Sequence, residues 1–150
     1  MRRNTLMIID DDSDDVELFI EALLELDNTV VWWKELNSSR ALARLLSNDV
    51  QNPEVIFLDI NMPILSGWDV LGVLKDNPVT KHIPIIMCST SSHEADMAKA
   101  RRMGAACFLV KPNDYQVLTY FLKKILQSLK EGTIHNCDDF LPWKISLKNA

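Results

Sequence analysis

The sequence has no apolar run long enough to span a bilayer, which argues against a membrane-spanning helix. It has no GxxxxGK pattern, so no P-loop cradles a nucleotide. Cysteine is scarce and odd in number: Cys88, Cys107 and Cys137, far apart and without the CxxC spacing of a zinc site. Cys88 and Cys107 lie inside apolar runs and read as small buried hydrophobes. The three histidines, His82, His93 and His135, fall away from the candidate site residues below, which argues against a histidine triad or a histidine metal site. There is no internal repeat, no helix-turn-helix pattern and no low-complexity segment beyond one acidic cluster. Basic charge is in deficit: 16 Lys and Arg against 21 Asp and Glu, net −5. With the acid concentrated near the N-terminus, direct nucleic-acid binding is not expected. The basic start Met1-Arg2-Arg3-Asn4 gives way to acid too soon for a signal peptide, so a cytoplasmic location and no membrane partner are expected.

What is present is a series of short apolar runs, each ending in polar residues. A length of 150 residues suits one domain with a real core. Thr5 to Ile9, Thr29 to Leu36, Val55 to Leu58, Ile85 to Cys88 and Ala106 to Val110 read as five strands. Helical periodicity lies between and after them. Val16, Phe19, Ile20, Leu23 and Leu26 make one apolar face, and Leu42, Leu45 and Leu46 a second. Val70, Leu71 and Leu74 make a third, running to about Asp76. A less apolar helix runs from about Ser92 to Met103 and ends at Gly104. The last spans about Asp114 to Leu129, before Gly132. Five βα units in succession predict an α/β fold, a doubly wound parallel sheet with helices on both faces. In the flavodoxin-like strand order 2-1-3-4-5, strands one and three meet at the topological switch point, where such sheets bind ligands.

Four strand tips then bring chemistry to one rim: Asp10 and Asp11, Asp59, Ser89 and Lys111. Three carboxylates that close repel unless a cation neutralises them. An all-oxygen cluster with room for water suits Mg²⁺. A carboxylate nucleophile, a divalent metal, a lysine and a hydroxyl together make a phosphoryl-transfer site.

Ile8-Ile9-Asp10-Asp11, the segment Phe57-Leu58-Asp59-Ile60-Asn61-Met62-Pro63 with Gly67, Ser89, and Lys111-Pro112 carry a resemblance. The sequence resembles the receiver domain of bacterial two-component response regulators, in particular the single-domain chemotaxis type. The resemblance covers about Thr5 to Leu129. It implies that Asp59 accepts a phosphoryl group from a histidine kinase or histidine phosphotransfer protein. It implies Mg²⁺ held by the carboxylates of Asp11 and Asp59, by the backbone carbonyl of Asn61 and, through water, by Asp10. Ser89 and Lys111 would bind phosphoryl oxygens. Phe108 falls where the family has an aromatic that swings between outward and inward rotamers, so Ser89 and Phe108 would form the switch. Gly67 is expected to be a loop hinge. The output would be a changed surface for a downstream protein, not turnover of a metabolite. A homodimer through helix four, strand five and helix five would fit the family.

Several features lie outside this pattern. Asp12, Asp14 and Asp15 read as a solvated helix-capping cluster, with a docking surface for a basic partner as the alternative. Trp32 and Trp33 should face opposite sides of the sheet. Trp68 either covers the crevice mouth or packs the start of a helix. Residues 1–130 form the receiver; 131–150 form a tail too apolar to hang free. Its alternation at Trp143, Ile145 and Leu147 suggests an added strand or arm packed on the domain or on a second subunit. Two other functions stay open at this stage. Asp10-x-Asp12 after an N-terminal strand suits a haloacid-dehalogenase-like phosphatase, whose later acids would have to be Asp138 and Asp139. A receiver-shaped binding module that is never phosphorylated is the other.

Overall fold

The structure is a computed structural model describing residues 4–47, 51–91, 93–132 and 134, with the backbone of Lys144 and Ile145. Expectations that rest on Cys137, Asp138, Asp139 and Trp143 lie outside the described residues. The elements alternate as the periodicity predicts: β1 (Thr5–Ile9), α1 (Ser13–Leu26), β2 (Val31–Glu35), α2 (Ser38–Leu46), β3 (Val55–Asp59) and α3 (Gly67–Asp76). Then follow β4 (Ile85–Ser89), α4 (Glu94–Arg102), β5 (Cys107–Val110), α5 (Tyr115–Glu131) and a two-residue β6 (Lys144–Ile145).

All strand pairings are parallel, in the order β2-β1-β3-β4-β5-β6. The first five strands have the expected order 2-1-3-4-5. The sixth lies along the β5 edge, with Lys144 opposite Phe108 and Ile145 opposite Leu109.

Parallel strands covered by helices are apolar on both faces, and every residue of β3 and β4 is buried. The two-residue side-chain period sorts them into two cores. Leu6, Ile8 and Phe57 join Phe19, Leu23, Phe121 and Ile125 of α1 and α5 on one face. Met7, Ile9, Ile56 and Leu58 join Leu45, Leu71, Leu74 and Met97 of α2, α3 and α4 on the other. The tryptophans divide the same way. Trp32 packs on the first core, Trp33 on the second, and the Arg44 guanidinium covers the Trp33 ring at 4.2 Å.

The structure corrects some details. Leu46 is 38% exposed and not on the inward face of α2, because Leu45 and Ala41 already fill the contact and the next residue points about 100° away. Cys107 is buried as expected but is also disulfide-bonded, whereas Cys88 is a free buried thiol. Gly67 is the first residue of α3 and has no positive φ. It is a close-approach position and not a hinge: a Cβ there would sit 2.2 Å from the backbone oxygen of Asp59. Its N–H donates to Ile60 O at 2.8 Å, and Ser66 with Asp69 closes a capping box. These contacts fix the start of α3 directly against the end of β3.

A carboxylate crevice at the strand tips

The parallel sheet brings the ends of β1, β3, β4 and β5 to one rim, and four of the candidate residues meet there. Asp10, Asp11 and Asp59 each offer a carboxylate oxygen, and these oxygens lie within 4.8 Å of one another. Asp10 and Asp59 are buried, at 5% and 6% exposure, and Asp11 is open to solvent. The Lys111 ammonium reaches in from the end of β5. It stands 2.7 Å from Asp10 Oδ2, 2.9 Å from Asp15 Oδ2 and 3.1 Å from Asp59 Oδ1.

The electrostatics follow from that packing. Burial raises the Asp59 carboxyl to about 6; the neighbouring Asp10 charge adds to the rise, and Lys111 only partly offsets it. Burial likewise raises Asp10, against its hydrogen bonds from Lys111 and from the Asp12 N–H. For Lys111 burial works against the charge. The hydrogen bonds to Asp10 and Asp15 outweigh it, and the ammonium stays protonated well above its ordinary range. The crevice thus holds more negative charge than one lysine neutralises. Its donors are all oxygen, close together and partly open to water, which is the set a hard divalent cation such as Mg²⁺ takes.

Ser89 ends β4 and is buried, with its Oγ accepting from the Ser91 N–H at 3.0 Å. Its carbonyl accepts from the Lys111 N–H at 2.7 Å, so the ends of β4 and β5 are tied at the crevice. Asn61 is exposed just beyond Asp59, and Phe108 is fully buried in the second core. Trp68 packs against that core, with Lys99 of α4 over its ring at 4.5 Å, linking α3 to α4. Beneath the carboxylates, burial pushes the Cys88 thiol up, so it is not a reactive nucleophile.

The sequence reading missed one partner. Asp15 is not a merely solvated acid, because it pairs with Lys111. The signal was its place in the first turn of the helix that leaves the crevice. Asp12 is the N-cap of α1: its carboxylate accepts from the N–H groups of Asp14 and Asp15 at 3.0 and 3.2 Å. That use as a cap argues against the phosphatase role open to it in sequence.

A parallel five-stranded sheet in this order, with an acidic crevice and an opposed lysine at its C-terminal rim, defines a receiver-type phosphoryl switch fold. The family described as the response regulator receiver domain matches residues 6–123, and the chain belongs to it. Protein PilG of Pseudomonas aeruginosa is 34% identical over 107 residues, covering 71% of this chain and 76% of that protein. A probable cyclic di-GMP phosphodiesterase of Vibrio cholerae is 28% identical over 143 residues, covering 94% of this chain. The chain spans only 31% of that protein and 22% of the response regulator PleD of Caulobacter vibrioides. Among solved structures, the phosphorylated cyanobacterial phytochrome response regulator RcpA superposes with a TM-score of 0.79 at 24% identity, over 87% of this chain and 96% of that one. No helix among the described residues is long and apolar enough to cross a membrane.

Proposed function

We propose that this chain is a response regulator receiver whose Asp59 is the phosphoacceptor. The observation that carries this reading is the meeting of Asp59 with two further carboxylates and the Lys111 ammonium in one crevice. An Asp59 carboxylate oxygen attacks the phosphorus of a phosphohistidine on a kinase or phosphotransfer protein. The P–N bond breaks, a P–O bond forms, and the histidine leaves as neutral imidazole after taking a proton. Later attack by water at phosphorus returns the carboxylate and releases inorganic phosphate.

This chain's own residues set up that exchange. Lys111 holds a fixed positive charge beside the attacking oxygen, and it swings only a short way to pair with a phosphoryl oxygen. The Ser89 hydroxyl leaves its contact with the Ser91 N–H to donate to a second oxygen. Because Ser89 O is bonded to Lys111 N–H, such a move displaces the ends of β4 and β5 together, with Phe108 as the buried side chain that must adjust. Mg²⁺ bound by Asp10, Asp11, Asp59 and the Asn61 carbonyl would neutralise the carboxylates and the developing phosphoryl charge. The altered α4–β5 surface is the output, read by a protein partner. Residues 131–150 would be a C-terminal tail used on the domain or on a partner subunit, and the pairing of Lys144 and Ile145 with β5 supports the first.

The test is incubation with Mg²⁺ and acetyl phosphate, followed by mass spectrometry of the intact protein. A single hydroxylamine-labile phosphoryl group is expected on the wild type and none on Asp59→Asn. Label retained in that variant, or steady release of phosphate from simple phosphomonoesters, sinks the reading.

A further inference from the structure

Helices α1 and α3 each carry an acid at their third residue, and they use it differently. In α3 the acid closes a capping box: Asp69 accepts from the Ser66 N–H at 2.9 Å. In α1 the corresponding acid is Asp15, three residues beyond the N-cap Asp12. Here the Asp12 N–H already donates to Asp10 Oδ1 at 3.0 Å. That leaves the Asp15 carboxylate without the N–H that a capping box would give it. It crosses instead to Lys111, 96 positions away in sequence, and accepts from the ammonium at 2.9 Å.

Lys111 thus has carboxylate partners of two kinds. The Asp10 and Asp59 side chains are 8% and 7% exposed, whereas Asp15 is 41% exposed. Asp10 and Asp59 belong with Asp11 to the clustered set of oxygens, and Asp15 is not part of that set. It lines the crevice as the outer partner of the lysine. An ammonium has three N–H groups, and three carboxylates surround this one within 3.1 Å. A phosphoryl oxygen arriving at Asp59 must therefore displace a partner of Lys111. Asp10 is buried, and a buried carboxylate that loses its cation is not resolvated. Asp15 is the partner that water can satisfy once the lysine leaves. Until it yields, its charge and the phosphoryl charge compete for one ammonium.

We propose that Asp15 is a positioning residue that restrains Lys111, competing with the phosphoryl group for the ammonium and so slowing phosphorylation. The proposal rests on the phosphoacceptor reading of Asp59 and adds a built-in brake on that site. Removing Asp15 does not release the lysine from the crevice, because Asp10 still holds it at 2.7 Å. It leaves one N–H of the ammonium ready for the incoming oxygen.

Four variants of the full chain test this. Asp15→Asn and Asp15→Ser both remove the charge, and Asp15→Glu keeps it. Asp14→Asn removes an equal charge one residue away, from an acid that is not paired with Lys111. Labelling is followed by mass spectrometry of the intact protein, with Mg²⁺ and acetyl phosphate far below saturation. Asp15→Asn and Asp15→Ser should label about fivefold faster than wild type. Asp15→Glu and Asp14→Asn should stay within about twofold of it. Beryllofluoride, an unreactive phosphoryl mimic, should bind the two neutral variants tighter by a similar factor in calorimetric titration. A faster reaction is not what a damaged fold produces, so the gain separates positioning from a structural role. Labelling of both neutral variants no faster than wild type overturns the proposal. An equal gain in Asp14→Asn also overturns it, since general repulsion of the anion then suffices, as does an equal gain in Asp15→Glu. Unchanged beryllofluoride affinity places the effect on the approach of the donor and overturns it too. If acetyl phosphate leaves wild-type Asp59 unlabelled, the phosphoacceptor reading itself falls, and the brake falls with it.

Discussion

The Lys111 ammonium stands closer to Asp10 than to Asp59, 2.7 Å against 3.1 Å. In this state the lysine acts first as the counter-ion of the crevice and only second as a ligand-binding group. It is also the cation that Asp10 and Asp59 share.

Replacing Lys111 by Ala therefore leaves two buried carboxylates without their cation. Loss of one partner of a buried ion pair costs about 3–5 kcal/mol, less whatever protonation of the carboxylates recovers. The distinguishing expectation is rescue. Millimolar Mg²⁺ should raise the Tm of Lys111→Ala more than that of wild type, because a divalent charge replaces the missing one. Thermal scans with and without Mg²⁺ measure this, and equal Mg²⁺ shifts in the two proteins contradict it.

Asp59→Asn should stabilise the metal-free protein at neutral pH. The folded carboxyl is raised to about 6 from an ordinary value of 3.8, so its charge opposes folding by on the order of 2 kcal/mol at pH 7. The sign follows from proton binding. Between about pH 4 and 6 the folded state holds a proton at Asp59 that the unfolded state has lost. That contribution is fully present below the unfolded pKa and disappears as pH rises through about 6. Urea unfolding across this range should show wild type losing stability relative to Asp59→Asn as pH rises. A difference that stays constant with pH counts against the raised carboxyl.

Gly67→Ala should destabilise the fold by about 1–3 kcal/mol through overpacking, since its Cβ would meet the Asp59 backbone oxygen at 2.2 Å. The same push displaces Asp59, so acetyl phosphate labelling should slow as well. A variant with unchanged stability and labelling shows that the start of α3 yields freely.

Deleting residues 133–150 removes Ile134, buried in the first core, and strips β6 from the β5 edge. Loss of about 2–3 kcal/mol is expected from the apolar burial alone. The bare β5 edge should also promote self-association, because unpaired strand edges template pairing. Light scattering during size-exclusion chromatography, with thermal unfolding, reads both effects. No change in either one shows that the tail contributes nothing to the domain.

Much of the architecture was legible before any coordinates. The five apolar runs carry strand-like burial on both faces, and the helix faces keep a period near 3.6, so order and layering followed from pattern alone. Leu46 was misread because periodicity gives the centre of an apolar face but not its width. Gly67 was misread because a glycine beside a loop suggests flexibility. Only the contact with the Asp59 carbonyl shows that the residue is there to admit backbone. Asp15 was misread because a run of acids at a helix start has a sufficient local explanation in capping, and Asp12 does cap.

The sequence by itself determined that Asp10, Asp11, Asp59, Ser89 and Lys111 stand at strand tips, because each ends an apolar run that can only be a buried strand. It also determined the rim they share, because parallel strands all end on one side. Tertiary structure alone decided how the charges divide among them. Which carboxylate Lys111 favours, how far Asp59 is raised, and that Asp15 joins the pair depend on distances and burial between residues up to a hundred positions apart.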